Sequence, residues 1–214
     1  MTGVLRDPRP GAVPRGTAVP HGTTRRGGAP NLGPRAAAGN RAALLAAARE
    51  VFGSAGTGAP LSAVAKRAGV GQGSLYRHFP DRLDLVVAVF EEQVVAVEEL
   101  AATPGADLAD LLGLVTRNAI DSVGFVDLVR SRVPADERIV ALGERVAAAL
   151  GTRLADATAA GVVPAGMTPD DLLLAVAMTA GGLSQAEGED RVRRARRAWE
   201  LLGMDVRIPA ESGR

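Results

Sequence analysis

Ala65–Leu85 reads AKRAGVGQGSLYRHFPDRLDL. Within it, Gly69-Val70-Gly71 separates two short helical patterns. Upstream, Leu61, Val64, Ala65 and Ala68 lie on one side of a helix over Leu61–Ala68. Downstream, Leu75 and Phe79 share a face at i, i+4 in a helix over Gln72–Phe79, which Pro80 stops. Two short helices joined by a Gly-containing three-residue turn form a helix-turn-helix. In that motif the first helix crosses the duplex backbone and the second brings its N-terminal residues to base edges in the major groove. The outward positions of the second helix are Gln72, Gly73, Ser74 and Arg77, with Tyr76 and His78 at a flank. Gln pairs with adenine, Arg with guanine, and Ser with either. Gly73 lets the backbone come close.

Further upstream, Leu44, Leu45, Ala48, Val51 and Phe52 repeat at helical spacing, so a helix is predicted over Asn40–Phe52 with Asn40 as N-cap. Gly53, Gly56, Gly58 and Pro60 end it. Residues 1–39 hold six Pro, eight Gly and six Arg with no apolar period, so they are expected to form a disordered basic tail. Such a tail either tracks phosphates or is an inert extension.

Downstream, Asp81 is placed to cap a long helix by accepting from the backbone N–H of Asp84. Leu83, Val86, Val87, Phe90, Val94 and Val97 give that helix an apolar stripe to Ala102, before Pro104-Gly105. Further helices are predicted over Asp107–Val123, Phe125–Arg132, Ala135–Ala160, Pro169–Ala180 and Glu189–Leu202. Thr168-Pro169-Asp170-Asp171 is a strong start signal, with an N-cap, Pro at the first helical position and acids in the first turn. Ala and Leu are abundant, and neither strand alternation nor an internal repeat is present. The reading is an all-α protein of about nine helices. It has a basic tail over 1–39, a helix-turn-helix domain over 40–85 and a larger helical regulatory and dimerisation domain over 86–214.

Charge follows that division. Residues 1–39 carry +5, residues 40–85 carry +3 and residues 86–214 carry −7. A basic end on an otherwise acidic chain points that end at nucleic acid. Cysteine is absent, which removes disulfides, thiolate nucleophiles and thiolate metal sites. The two histidines, His21 and His78, have no metal-ligand spacing, so no cofactor is expected. Gly69-Val70-Gly71 follows a helix rather than a strand, so it is no phosphate loop. Asp170-Asp171 and Glu91-Glu92 are adjacent and do not share a helix face. An enzyme is therefore not expected. No uncharged run is longer than Leu172–Ala186, whose 15 residues are fewer than the ~20 that span a bilayer. With no signal sequence in the Arg- and Pro-bearing start, the chain reads as soluble and cytoplasmic.

Taken together, AKRAGVGQGSLYRHFPDRLDL and the upstream RAALLAAAREVF closely resemble the N-terminal domain of the TetR (tetracycline-repressor) family, over Arg41 to about Glu91. TPDDLLLAV and RRAWELLG are similar to one branch of that family, more weakly. The resemblance implies an all-helical dimer with a three-helix DNA-binding head and a ligand-binding, dimerising body. Most such proteins are repressors released by a small apolar or amphipathic ligand. It also implies that Tyr76, His78 and Arg82 touch phosphates while Gln72, Ser74 and Arg77 read bases. Gly71 departs from the pattern, standing where the family often has a Ser or Thr cap.

The expected partners are a palindromic double-stranded operator, a second copy of the chain and an unidentified small ligand. Dimer contacts are expected from Leu172, Leu173, Leu174, Ala177, Ala180, Gly181 and Gly182, with Trp199, Leu201 and Leu202. A ligand cavity is expected among the helices at Asp107–Val123, Phe125–Arg132 and Ala135–Ala160. Its candidate lining is Leu111, Val115, Asn118, Phe125, Leu128 and Leu142. The alternative is a helical adaptor of the same fold that no longer binds DNA.

Overall fold

A computed structural model describes residues 34–55, 59–122, 136–183, 186 and 188–209, all within one unit spanning 33–214. Among the described residues there are eight helices and no strand. In chain order they are α1 Pro34–Ala55, α2 Leu61–Ala68, α3 Gln72–His78, α4 Arg82–Ala102, α5 Leu108–Asp121, α6 Glu137–Ala159, α7 Pro169–Leu183 and α8 Glu189–Leu201. The helix expected over Phe125–Arg132 lies outside the described residues.

The first helix starts six residues earlier than expected. Pro34 opens it, and Asn40 lies inside it rather than capping it. Proline tolerates the first turn because its missing N–H would have no intrahelical partner there. Ala36, Ala37 and Ala38 are the best helix formers and carry the helix onward past Gly39.

Local chemistry sets the remaining boundaries. Gly69 ends α2 in the left-handed region at φ 67°, where a side chain would be strained, and its N–H donates to the Lys66 carbonyl. Asp81 and Asp84 form a reciprocal capping box at the start of α4, with Asp84 N donating to Asp81 Oδ1 at 2.8 Å. Asp107 and Asp110 repeat that box on α5. Thr168 and Asp171 do the same for α7, with Thr168 N donating to Asp171 Oδ2 at 2.8 Å.

The apolar faces close into separate clusters. Leu44, Leu45, Ala48 and Phe52 of α1 meet Val64 and Ala65 of α2, Leu75 of α3, Phe79, and Leu85, Val86 and Val89 of α4. Complete burial of the Leu, Val and Phe side chains among these stabilises by about 1.5–3 kcal/mol each. Farther along, Leu108, Leu111 and Leu112 of α5 pack with Leu150 and Leu154 of α6, Leu172 of α7 and Trp199 of α8. The buried Trp199 Nε1 donates to Thr116 Oγ1 at 2.9 Å. The chain after α8 lies against α5, where Gly113 leaves no room for a Cβ: one there would sit 1.9 Å from the Arg207 carbonyl oxygen. Arg117, buried on α5, donates to the Pro209 carbonyl through Nε and Nη2 at 3.0 and 2.7 Å.

Candidate DNA interface and ligand cavity

α3 is short, and Leu75 and Phe79 hold it by burial in the first cluster. Gly71 is its N-cap and supplies no side-chain bond, as its identity requires. The opposite face is open. Gln72, Gly73, Tyr76 and Arg77 are exposed, Tyr76 to 51%, and Ser74 and His78 are half-buried. Arg77 Nη2 donates to Ser74 Oγ at 2.7 Å and its Nε to the Gly73 carbonyl at 3.1 Å. These bonds lay the guanidinium along the outer face of the helix. Gln72, Ser74, Tyr76, Arg77 and His78 thus lie together on one short helix.

Arg82 is placed differently. It begins α4, donates to the Ala59 carbonyl at 2.7 Å and lies with its guanidinium 5.1 Å from the Phe52 ring centre. Arg41 stacks in the same manner on Phe79, at 5.5 Å. Spacing along the sequence does not reveal either contact, because each joins residues separated by at least one intervening helix.

The second feature is a cavity of about 270 Å³ in the body. Phe90, Gln93, Val94 and Val97 of α4, Val115, Asn118 and Ala119 of α5, Ile139, Leu142, Gly143 and Val146 of α6, and Leu173, Val176, Ala177 and Ala180 of α7 line it. Of the expected lining, Val115, Asn118 and Leu142 are in place. Leu111 is not: it is fully buried one helical turn away, in the cluster with Leu150 and Trp199, which closes that end. Phe125 and Leu128 fall outside the described residues. The sequence reading missed the contribution of α4 and α7. The apolar stripe of α4 was visible, but its assignment to a void depends on where α6 and α7 lie.

α4 and α6 are also tied by ion pairs. Arg145 donates through Nε and Nη2 to both carboxylate oxygens of Glu98, at 2.8 and 2.7 Å, and through Nη1 to Glu91 at 2.6 Å. Arg138 pairs with Asp84, the capping-box residue, at 2.9 Å. The Arg145 guanidinium holds the Glu98 carboxyl below the usual carboxylate range. On α4, Gln93 Nε2 donates to the buried Ser122 Oγ at 2.7 Å.

The apolar segments expected to pair two copies divide between inside and outside. Leu172 and Trp199 belong to the core of the single chain, Leu173 and Ala180 line the cavity, and the exposed Ala177 stands at its rim. Leu174 and Met178, each 60% exposed, form an outward stripe on α7 with Ala177 and Gly182. On α8, Leu201 is exposed, as are Arg193, Arg194, Arg196 and Arg197.

Comparison with known proteins places this arrangement. Residues 44–89 match the family described as "Bacterial regulatory proteins, tetR family". A TetR transcription regulatory protein from Mycobacterium vanbaalenii is 33% identical, over 69% of this chain and 96% of that one, with a TM-score of 0.49. The chain belongs to the TetR family. A TetR transcriptional regulator from Streptomyces coelicolor is 28% identical over 76% of this chain and 96% of its own, with a TM-score of 0.56. FadR from Bacillus subtilis, solved in complex with stearoyl-CoA, shares the fold at 20% identity, over 78% of this chain and 99% of its own, with a TM-score of 0.53. A comparison with curated proteins gave no match. As a TetR-family protein the chain is a DNA-binding transcriptional regulator and not an enzyme. Among the described residues, no helix is long and apolar enough to cross a membrane.

Proposed function

We propose that this regulator is a homodimeric repressor that grips a palindromic operator with two copies of α3 and is released by a small apolar or amphipathic ligand in the α4–α7 cavity. Gln72, Ser74 and Arg77 read bases, and Tyr76, His78 and Arg82 hold phosphates. The tail over 1–33 adds affinity without specificity, because Arg outside the groove acts through counterion release. The outward stripe of Leu174, Ala177, Met178 and Gly182 supports pairing through α7. Two-fold symmetry then sets the heads about 34–36 Å apart, over successive major grooves.

One observation carries the reading: α4 is continuous from its cap beside α3 to the cavity wall at Phe90, Gln93, Val94 and Val97. A ligand that favours one position of α4 over another changes the spacing of the heads, and only such a difference shifts DNA binding. FadR offers a precedent for the fold, since it holds stearoyl-CoA.

The test is selection of bound sites from random DNA, followed by titration of the selected site. Replacing Arg77 by Ala is expected to weaken operator binding by about 1–3 kcal/mol and to relax preference at one base pair. An unchanged ratio of operator to random binding removes Arg77 from base reading. Arg82 bonds to the Ala59 carbonyl and stacks on Phe52 within the head, so Arg82→Ala is expected to lower thermal stability as well as weaken all DNA sequences alike. A purely DNA-directed role would leave stability unmoved.

A further inference from the structure

Among the described residues the cavity lining holds two polar side chains, Gln93 and Asn118, with apolar side chains and Gly143 around them. Among the described residues no charged side chain lines it. Gln93 is held by Ser122 through its amide nitrogen. The Asn118 side chain has no hydrogen bond among the described residues, and Asn118 lines the cavity with Val115 and Ala119 of α5. An amide offers both donors and an acceptor.

We infer that the ligand is an uncharged amphiphile whose single polar end, a carbonyl or hydroxyl, bonds to Asn118 and whose apolar part lies between α4, α6 and α7. This rests on the reading of the cavity as the ligand site and goes further by naming the ligand's chemistry. An ionised end placed there gives up hydration and meets no charged side chain among the described lining residues, which is unfavourable. A wholly apolar molecule leaves the Asn118 amide unbonded after water is displaced, which costs more than the bond itself is worth. Size is bounded too. A cavity of about 150 Å³ lined by aliphatic and aromatic side chains holds benzene, so about 270 Å³ holds on the order of ten non-hydrogen atoms.

A matched series fits that size: n-octane, 1-octanol, 2-octanone, octanoate and octylammonium. Calorimetric titration of the full chain at neutral pH is expected to rank the alcohol and the ketone first. Octanoate and octylammonium should be at least about tenfold weaker. Asn118→Leu should weaken the ketone by about fivefold, the worth of one net hydrogen bond, and leave octane unchanged or tighter. Asn118→Asp should bring octylammonium above octanoate and the ketone, a gain that loss of folding does not mimic. Octanoate binding as tightly as octanol, affinities indifferent to both Asn118 variants, or no binding by any member overturns the inference.

Operator binding is read on the same samples. Operator bound with no probe taken up overturns the ligand class and leaves the DNA reading standing. The expected ranking without operator release keeps the ligand class and removes the regulatory role.

Discussion

In the head, Leu44, Leu45, Phe52, Leu75, Phe79 and Leu85 fill one cluster, and the polar groups of α3 are left outside it. In the body, the helices α4 to α7 border a partly open cavity of about 270 Å³, and the polar residues Gln93 and Asn118 are among those that line it. The arginine of the α3 face also differs from those that join elements, Arg82 of the head among them. Arg77 lies along an open face, bonded to its own helix. Arg145 and Arg117 join one element to another, Arg145 by carboxylates and Arg117 by a backbone carbonyl. The contrast teaches what each region must do. A reading head has to hold α3 rigidly, because misplacement of its side chains against base edges loses hydrogen bonds. A regulatory body has to admit a guest and respond to it, which a fully packed interior cannot do.

The largest test of this contrast is Phe52→Ala. Phe52 is almost completely buried in the head cluster, so the substitution is expected to destabilise by about 3–5 kcal/mol. Urea unfolding measures it, and operator binding should fall with the folded fraction. A loss under about 1 kcal/mol would mean that the head is as loosely packed as the body.

A sharper comparison uses two valines on the same helix. Val89 is fully buried in the head cluster, and Val94, five positions on, borders the cavity. Val89→Leu adds a methylene where there is no space and is expected to cost about 1–3 kcal/mol. Val94→Leu extends into the void and is expected to change stability by less than about 0.5 kcal/mol, while weakening 2-octanone. Equal costs at the two sites would show that the void is not available to side chains.

The smallest effect is electrostatic. Arg207 bonds to Asp107 and Asp110 and holds both carboxyls below their ordinary values. Both groups then bind protons less readily folded than unfolded. Their contribution is fully present above the unfolded value, near pH 4, and is lost as pH falls through the lower folded values. All three side chains are largely or partly exposed, so the contribution after solvent screening is about 1 kcal/mol or less. Arg207→Gln should lower stability at pH 7 by that amount and flatten the stability curve between about pH 4 and pH 2, so that variant and parent converge at the acid end. A variant that stays below the parent by the same amount from pH 7 to pH 2 would reduce Arg207 to packing alone.

Much of this protein was legible in the sequence, for a physical reason. Helix type and boundaries depend on residues within about four positions of one another, so Gly69, Asp81, Asp107 and Thr168 could be placed from their neighbours. The two faces of α3 follow from helical periodicity alone. The start of α1 was misjudged because Pro34 and Gly39 read locally as breakers, while the alanines between them favour helix.

What only the tertiary structure decided is which apolar residue meets which neighbour. Hydrophobicity drives burial without direction. It therefore could not say that Leu111 closes the core while Val115, one turn on, borders a void. Nor could it say that Leu172 and Trp199 serve the single chain while Leu174 and Met178 remain outside. Those assignments depend on how helices distant in sequence pack together, and the cavity exists only where α4, α5, α6 and α7 fail to close on one another.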